Sequence, residues 1–515
     1  YFANIHAGSM IVPAALAMCE REGTSGETFL KAVTLGYDIG ARTNLVLTYE
    51  ALRKHLYNSH SFGGTIGAAA AAGLPLGLDA QRMRYLLSYA AQQVGGLRTW
   101  VRDPEHVEKA FAIGGMGARN GVTAALMVAG GFTGVDDVFS GKPNYFDIFV
   151  ENPKRRELTD QLGKRFEVTR TNIKKWSVGS PIQAALDAAH ALIAEHDLKP
   201  GDIERIVAHL PKYSARTVDN RAVPNISVQH LIALMIVDGT VTFHSSHDFA
   251  RMQDPKVVAV RKKIDLKGVL ALEKAKPARQ AKVEMHLKNG KKVSRHVRAV
   301  RGTAANPMTR AEVEAKAFDL TAPILGKTRA KKLIEAIRSL ETIKNVRTLR
   351  PLLTACGNTM NTHEVRPVKK GETLDKTEQL AWKLAAAATD PTPNDPEAVD
   401  MAINRIIDNA GVAIAAINNH AVVNARAQAL THPRKDGATV LGMPNDTRVH
   451  CEWAAWANAT AVRELDFHDY FGGLDSGHPG DNIPSVAAAA EQCGATGEAL
   501  ARGIILAYET QISLA

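Results

Sequence analysis

The chain has 515 residues, 45% hydrophobic and 23% charged, a globular composition whose length suits two or three domains. No run of about 18 apolar residues is present, so no membrane span is expected, and the opening Tyr1-Phe2-Ala3-Asn4 lacks the basic and apolar stretches of a signal peptide. Cys19, Cys356, Cys451 and Cys493 form no CxxC pair, which argues against a disulfide framework, an iron–sulfur cluster or a structural zinc site and points to a reducing cytoplasm.

The net charge of +10 is unevenly spread. From Met360 onward there are 12 Lys+Arg against 20 Asp+Glu, a net of −8; the rest carries 51 against 33, a net of +18. The basic excess lies in helices and a hairpin without interleaved aromatics. That pattern fits solvated faces plus a pocket for an anionic substrate, rather than a nucleic-acid surface.

In chain order, the first 130 residues read as Ala/Leu-rich helices at 10–22, 26–41, 64–74, 79–95 and 114–130, with Gly23-Thr24-Ser25-Gly26 as a turn and Asp79 as an N-cap. The texture changes between about 170 and 302. Ile203 to Leu210 alternates like a strand, and Val283 to Leu287 with Lys292-Val293 reads as a hairpin turning at Asn289-Gly290. Helices return at 309–340, where Thr309 and Glu312 have capping-box spacing. Residues 347–362 look irregular, and further helices are expected at 374–389, 397–417, 420–431, 452–464, 484–492 and 497–510. The expected fold is mainly α with a smaller α+β domain. Residues 1–169 form a helical domain, 170–303 the α+β domain, 304–353 a return to helices, 354–366 a junction, and 367–515 a second helical piece.

The two ends of the chain repeat each other. His6-Ala7-Gly8, Val12-Pro13-Ala14-Ala15-Leu16-Ala17, Ser25-Gly26-Glu27 and Gly36-Tyr37 match His478-Pro479-Gly480, Ile483-Pro484-Ser485-Val486-Ala487-Ala488, Thr496-Gly497-Glu498 and Ala507-Tyr508. The offset is 471 or 472 residues, so one gap aligns them. Two copies at opposite ends are too few for a solenoid.

Leu465-Asp466-Phe467-His468-Asp469 followed by His478-Pro479-Gly480 resembles the LDFxD…HPG segment of MmgE/PrpD proteins, the 2-methylcitrate dehydratase family. His60 before Gly67-Ala68-Ala69-Ala70, Leu76-Gly77-Leu78, Gly131-Phe132-Thr133-Gly134, Asn172-Ile173-Lys174-Lys175-Trp176-Ser177, Gly239-Thr240-Val241 and Asn306-Pro307-Met308-Thr309 resemble later segments of that family. In family order, residues 1–353 resemble one member without its amino-terminal part. Residues 360–515 resemble the amino-terminal part of a second member, with Met360-Asn361-Thr362-His363 reading as a start. A reading frame joining two truncated neighbouring genes is the preferred explanation, ahead of a permuted fusion or a tandem protein with both ends lost.

The resemblance implies a metal-free, cofactor-free lyase of the 2-methylcitrate dehydratase type, acting on a small polycarboxylate as a homodimer. Removing a proton α to a carboxylate and expelling hydroxide needs a base, an acid and cations, which histidine and lysine supply. By position, His60 and His478 are the expected acid/base pair, with Asp466 orienting His478 or contacting the substrate. Lys109 and Lys174 are expected to bind carboxylates; His6, the first-copy equivalent of His478, is a further substrate-binding candidate and becomes the relevant histidine if the first piece pairs with a separate partner copy. Two departures from the family pattern bear on the substrate: Tyr470 stands where a small hydroxyl residue is common, and Val178-Gly179-Ser180 where some members have histidine or cysteine. A decarboxylase or epimerase on the same fold is the near alternative, and an inactive remnant or assembly module the distant one. His244-Ser245-Ser246-His247-Asp248 reads as a solvated turn rather than a metal site, because no further ligand-spaced pair accompanies it.

Overall fold

A computed structural model describes residues 5–103, 107–353, 385–386, 395–444, 446–466, 469, 471–472 and 476–514. The expected junction 354–366 and nearly all of the expected helix 374–389 lie outside these residues.

The first region is helical. Helices α1 (Gly8–Glu22), α2 (Gly26–Leu47), α3 (Ser59–Gly73) and α4 (Ala80–Gln92) follow one another. Ser25 caps α2 by accepting from the Thr28 N–H, and Asp79 caps α4 by accepting from the Arg82 N–H, as its position in the sequence predicts. Almost every residue of α3 is buried, which makes it the central rod of the region. Its small residues let α2 come close. A Cβ on Gly40 would lie 2.5 Å from the Gly63 carbonyl oxygen, and one on Gly67 2.5 Å from that of Gly36. The Asn44 side chain, also on α2, ties down the start of α3 by donating to the Ser59 carbonyl and accepting from the Gly63 N–H.

The expected helix 114–130 is observed as α5 (Met116–Ala129), preceded by a π-helical segment at Phe111–Gly115 and a short α-turn at Val107–Ala110. The widened turn is a matter of backbone hydrogen-bond spacing, which apolar periodicity does not encode.

The α+β region holds α6 (Gln183–His196), β1 (Ile203–Pro211), α7 (Val228–Asp238), β2 (Ile264–Val269), β3 (Ala281–Leu287) and β4 (Lys292–Val297). The sheet order is β2-β1-β3-β4, with β2 parallel to β1 and the other pairs antiparallel. Ile206, Ala208, Val283 and Met285 face α6 and α7 in one core. The β3–β4 hairpin turns at Asn289-Gly290, where Gly290 supplies a φ of +81°. Next come α8 (Arg310–Leu325), started by the Thr309–Glu312 capping box, and α9 (Lys327–Arg338).

The last region holds α10 (Pro396–Ala415), α11 (His420–Ala429), β5 (Pro433–Thr439), β6 (Arg448–Val449), α12 (Cys451–Glu464), α13 (Ile483–Gln492) and α14 (Gly497–Leu514). The short β5–β6 pair was not expected from the sequence. This region meets the first where Phe132 stacks on Trp456, with ring centroids 5.8 Å apart. Among the described residues no single helix is long and apolar enough to cross a membrane.

Candidate active site

Four side chains from separate stretches of the first 174 residues converge. His6 stands just before α1, and Ser9 in the first turn can donate to its carbonyl oxygen. His60 is the second residue of α3. Their rings lie 4.5 Å apart at 43°. Lys109 sits at the end of the short turn before the π-helical segment, with its ammonium 5.9 Å from the Trp100 ring centroid. Lys174 lies in the irregular stretch between Thr171 and Trp176.

The four groups lie close enough for their charges to act on one another. Burial lowers the proton affinity of His60 to about 3, and the neighbouring His6, Arg98 and Lys109 push the same way. His6 is lowered by desolvation and then by the charges of Lys174 and Lys109. It keeps an edge exposed to solvent. Water there screens part of the effect, so His60 is the more firmly neutral of the two. Lys109 is lowered by burial, and Lys174 by burial and then by Lys109, Lys316 and Arg279. Positive groups face one another with no carboxylate among the causes of these shifts, a costly arrangement that a bound polyanion would relieve. Two buried polar atoms at the start of α3, Nδ1 of His60 and Oδ1 of Asn58, have no hydrogen-bond partner among the described residues. Arg98, Arg279 and Lys316 were not singled out in the sequence. Nothing in its own stretch marks any of the three as a site residue, and only the fold brings it to the others.

His478 and Asp466 lie in the last region, in a different setting. The His478 Nδ1 is 2.5 Å from the Asp469 carbonyl oxygen and so carries a proton, while its Nε2 is 4.0 Å from Asp466. Asp466 is exposed, has a left-handed φ of +54°, and pairs with Arg463 at 3.2 Å. Asp469, missed in the sequence, is the buried carboxylate. It accepts from the Gly480 N–H at 2.9 Å and from the Tyr508 hydroxyl, and Arg405 lies 4.0 Å away. The structure therefore brings His6, His60, Lys109 and Lys174 together and sets His478 beside Asp466 and Asp469.

Two clefts lie elsewhere. One, of about 660 Å³, is lined by Asp238, Arg251 and Lys263; the other, of about 740 Å³, by Leu30, Thr34 and Phe166. Neither is lined by any of the four converging residues. Phe243–His247 is a short helix rather than the expected turn. His247 is engaged on both ring nitrogens, by the Phe243 carbonyl at 2.9 Å and by the Asn225 amide at 2.8 Å. Among the described residues no group of three or more His, Cys, Asp or Glu is placed to hold a metal ion.

The sequence matches the profile of the MmgE/PrpD N-terminal domain over residues 2–158 and again over 378–515, and that of the MmgE/PrpD C-terminal domain over 176–342. The chain belongs to the MmgE/PrpD family. The amino-terminal profile thus flanks the carboxy-terminal one on both sides, and all four converging residues fall within the first two matches in chain order or at their junction. A cis-aconitate decarboxylase-like protein from Aspergillus oryzae, oryM, is 28% identical over 188 residues, 33% of this chain and 38% of the relative. Human cis-aconitate decarboxylase is 23% identical over 369 residues, 68% of this chain and 74% of the relative; the mouse protein is 24% identical over 371 residues, 68% and 73%. The chain therefore spans about two fifths of the fungal relative and about three quarters of each mammalian one. As an MmgE/PrpD protein it has the mainly helical fold with a small α+β part that the sequence predicts.

Proposed function

We propose that this MmgE/PrpD protein is a lyase for a small polycarboxylate, eliminating water from a hydroxy acid of the 2-methylcitrate type without a cofactor. The reading rests on one observation: two histidine rings 4.5 Å apart amid converging lysines. Lys109 and Lys174 hold substrate carboxylates and the charge that develops on the enediolate. One histidine takes the proton from the carbon α to a carboxylate, and the C–O bond to the hydroxyl breaks. The other histidine protonates the departing hydroxide, so substrate gives alkene plus water. His6 here takes the role that sequence position alone gave to His478. Both histidines are held neutral, which suits a base but not an acid. A bound polyanion raises their proton affinity, so one proton enters with the substrate.

Decarboxylation is the second reading, and the names of the fungal and mammalian relatives favour it. Loss of carbon dioxide leaves a carbanion that a single protonated histidine quenches, on the same lysine framework. The deciding experiment offers the purified protein 2-methylcitrate and cis-aconitate separately. Ultraviolet absorbance follows double-bond formation in the first, and released carbon dioxide is measured in the second. Turnover of 2-methylcitrate that disappears in His60→Ala supports the dehydratase; carbon dioxide release alone replaces it with the decarboxylase. Turnover of either substrate at the native rate in both His6→Ala and His60→Ala sinks the site.

A further inference from the structure

Lys174 sits on a stretch of chain with no regular structure of its own, yet a carboxylate-binding lysine must be held still. Its neighbours show how this is done. The Ile173 N–H donates to the Gly302 carbonyl at 2.8 Å, and the Gly302 N–H to the Asn306 carbonyl at 2.8 Å. Gly302 has φ +90°, and a Cβ on it would lie 1.8 Å from the Ile173 carbonyl oxygen. Only glycine permits that approach. Downstream, Trp176 is pinned by its indole N–H to Asp187 at 2.9 Å and by its backbone N–H to Gln183 at 3.1 Å. Between these anchors, the Lys174 carbonyl accepts from the ammonium of Lys316 on α8. The start of α8 is fixed in turn, because Glu312 of its capping box grips Arg301, whose backbone N–H donates to Asp187 at 2.9 Å. The ties form a closed circuit: α8, Arg301, Gly302, Ile173, Lys174, and back to α8 through Lys316.

We propose that Lys316 is a positioning residue for Lys174, clamping its carbonyl so that the Lys174 ammonium is presented to the His6–His60 pair. The inference rests on the lyase reading for its catalytic meaning, but the clamp stands on geometry alone. A neutral donor could make this hydrogen bond. A lysine instead adds a second ammonium beside Lys174 in a half-buried place, which costs folding energy and strengthens the field on an anion. Its own proton affinity is lowered by burial, and its charge lowers that of Lys174. Lys316 thus both anchors Lys174 and makes it a readier proton donor.

The test reads Lys174 directly and needs no turnover. Lysines are trace-labelled with acetic anhydride near pH 8 and quantified by mass spectrometry in the native protein and in Lys316→Met, Lys316→Gln and Lys316→Arg. Removing the neighbouring charge raises the proton affinity of Lys174 and leaves less of it unprotonated. The expected result is a several-fold fall in Lys174 labelling, relative to exposed lysines, in the Met and Gln variants, with the Arg variant within about twofold of native. Unchanged labelling in a folded Met or Gln variant overturns the proposal; if Lys316→Met fails to fold, the Gln variant, which keeps a donor, decides. Kinetics with the polycarboxylate separate the two levels. A native enzyme that turns over no polycarboxylate removes the lyase reading and leaves the labelling result intact. A working enzyme whose KM is the same in Lys316→Met, which has no donor, as in native removes the positioning role and leaves the lyase.

Discussion

The turn at His6 and the turn at His478 are copies of one sequence pattern placed in opposite surroundings. In the first, His6 meets a second histidine and a set of cations, and a Cβ on Gly8 would lie 2.8 Å from the Tyr37 hydroxyl. In the second, His478 meets a backbone carbonyl and two aspartates, while Tyr508, the counterpart of Tyr37, donates to Asp469. The histidine is the same, so its role is set by what its helical hairpin packs against. For α1–α2 that partner is α3, which carries His60. The fit depends on Gly36 and Gly40, whose positions admit no Cβ: one on Gly36 would lie 2.7 Å from the Gly67 carbonyl oxygen, and one on Gly40 2.5 Å from that of Gly63. At the same offset α14 carries Ala507 and Gln511. As packed here, α14 could not take the berth of α2, so His478 does not substitute for His6 by a simple exchange of hairpins.

The largest effect that would break this comparison is on turnover. His60→Ala and His6→Ala should each lower kcat about 10³-fold, the usual scale for losing a general acid or base, whereas His478→Ala should cost less than about tenfold. Steady-state rates on whichever polycarboxylate the enzyme accepts decide it. If His478→Ala proves as damaging as His60→Ala, the second turn belongs to the working site and the contrast fails. Next in size is Lys174→Met, which should raise KM about 10- to 100-fold, with a smaller effect on kcat, as expected for a charge-assisted bond to a substrate carboxylate. A fall in kcat at constant KM would instead place Lys174 in the transition state only.

Local signals carried much of the fold. The Asp79 cap, the Thr309–Glu312 capping box and the Asn289-Gly290 hairpin depend on residues within a few positions of one another, and the structure has all three. Strand β2 was invisible because Ile264-Asp265-Leu266-Lys267 is partly exposed and owes its extended form to pairing with β1, some 60 residues away. The site divides the same way. His60, Lys109 and Lys174 stand in recognisable segments, but Lys316 looks like any helix-surface lysine until the Lys174 carbonyl is placed against it. Asp466 drew attention over Asp469 for a similar reason. The first is exposed beside Arg463 and the second is buried against Gly480 and Tyr508, and spacing does not report which of the two faces inward.

A packing test sharpens the comparison further. Gly40→Ala should destabilise the protein by about 1–3 kcal/mol, because the Cβ overlaps the Gly63 carbonyl and α2 must move away from α3. Ala507→Gly should cost about 1 kcal/mol, the helix-propensity difference alone. Denaturant melts of the two variants check this. A loss below about 0.5 kcal/mol in Gly40→Ala would mean that the berth of α2 does admit a Cβ, and that the sequence of α14 does not bar it from the same place.

The smallest effect concerns pH and the burial of His60. Its proton affinity in the folded protein, about 3, is far below the ordinary histidine value of 6.5. Between these values the unfolded chain binds a proton that the folded one refuses, so stability falls as pH drops below 6.5 and continues to fall until about pH 3. Over the first unit below 6.5 this single group removes about 1 kcal/mol. In His60→Gln that contribution is gone, whereas the protein's other titrating groups remain in both proteins and largely cancel in the difference. The stability gap between His60→Gln and native should therefore shift by about 1 kcal/mol in favour of the variant between pH 6.5 and 5.5. A gap that stays constant over that range would mean His60 is solvated like an ordinary histidine. The desolvated pocket that distinguishes the first turn from the second would then have no energetic basis.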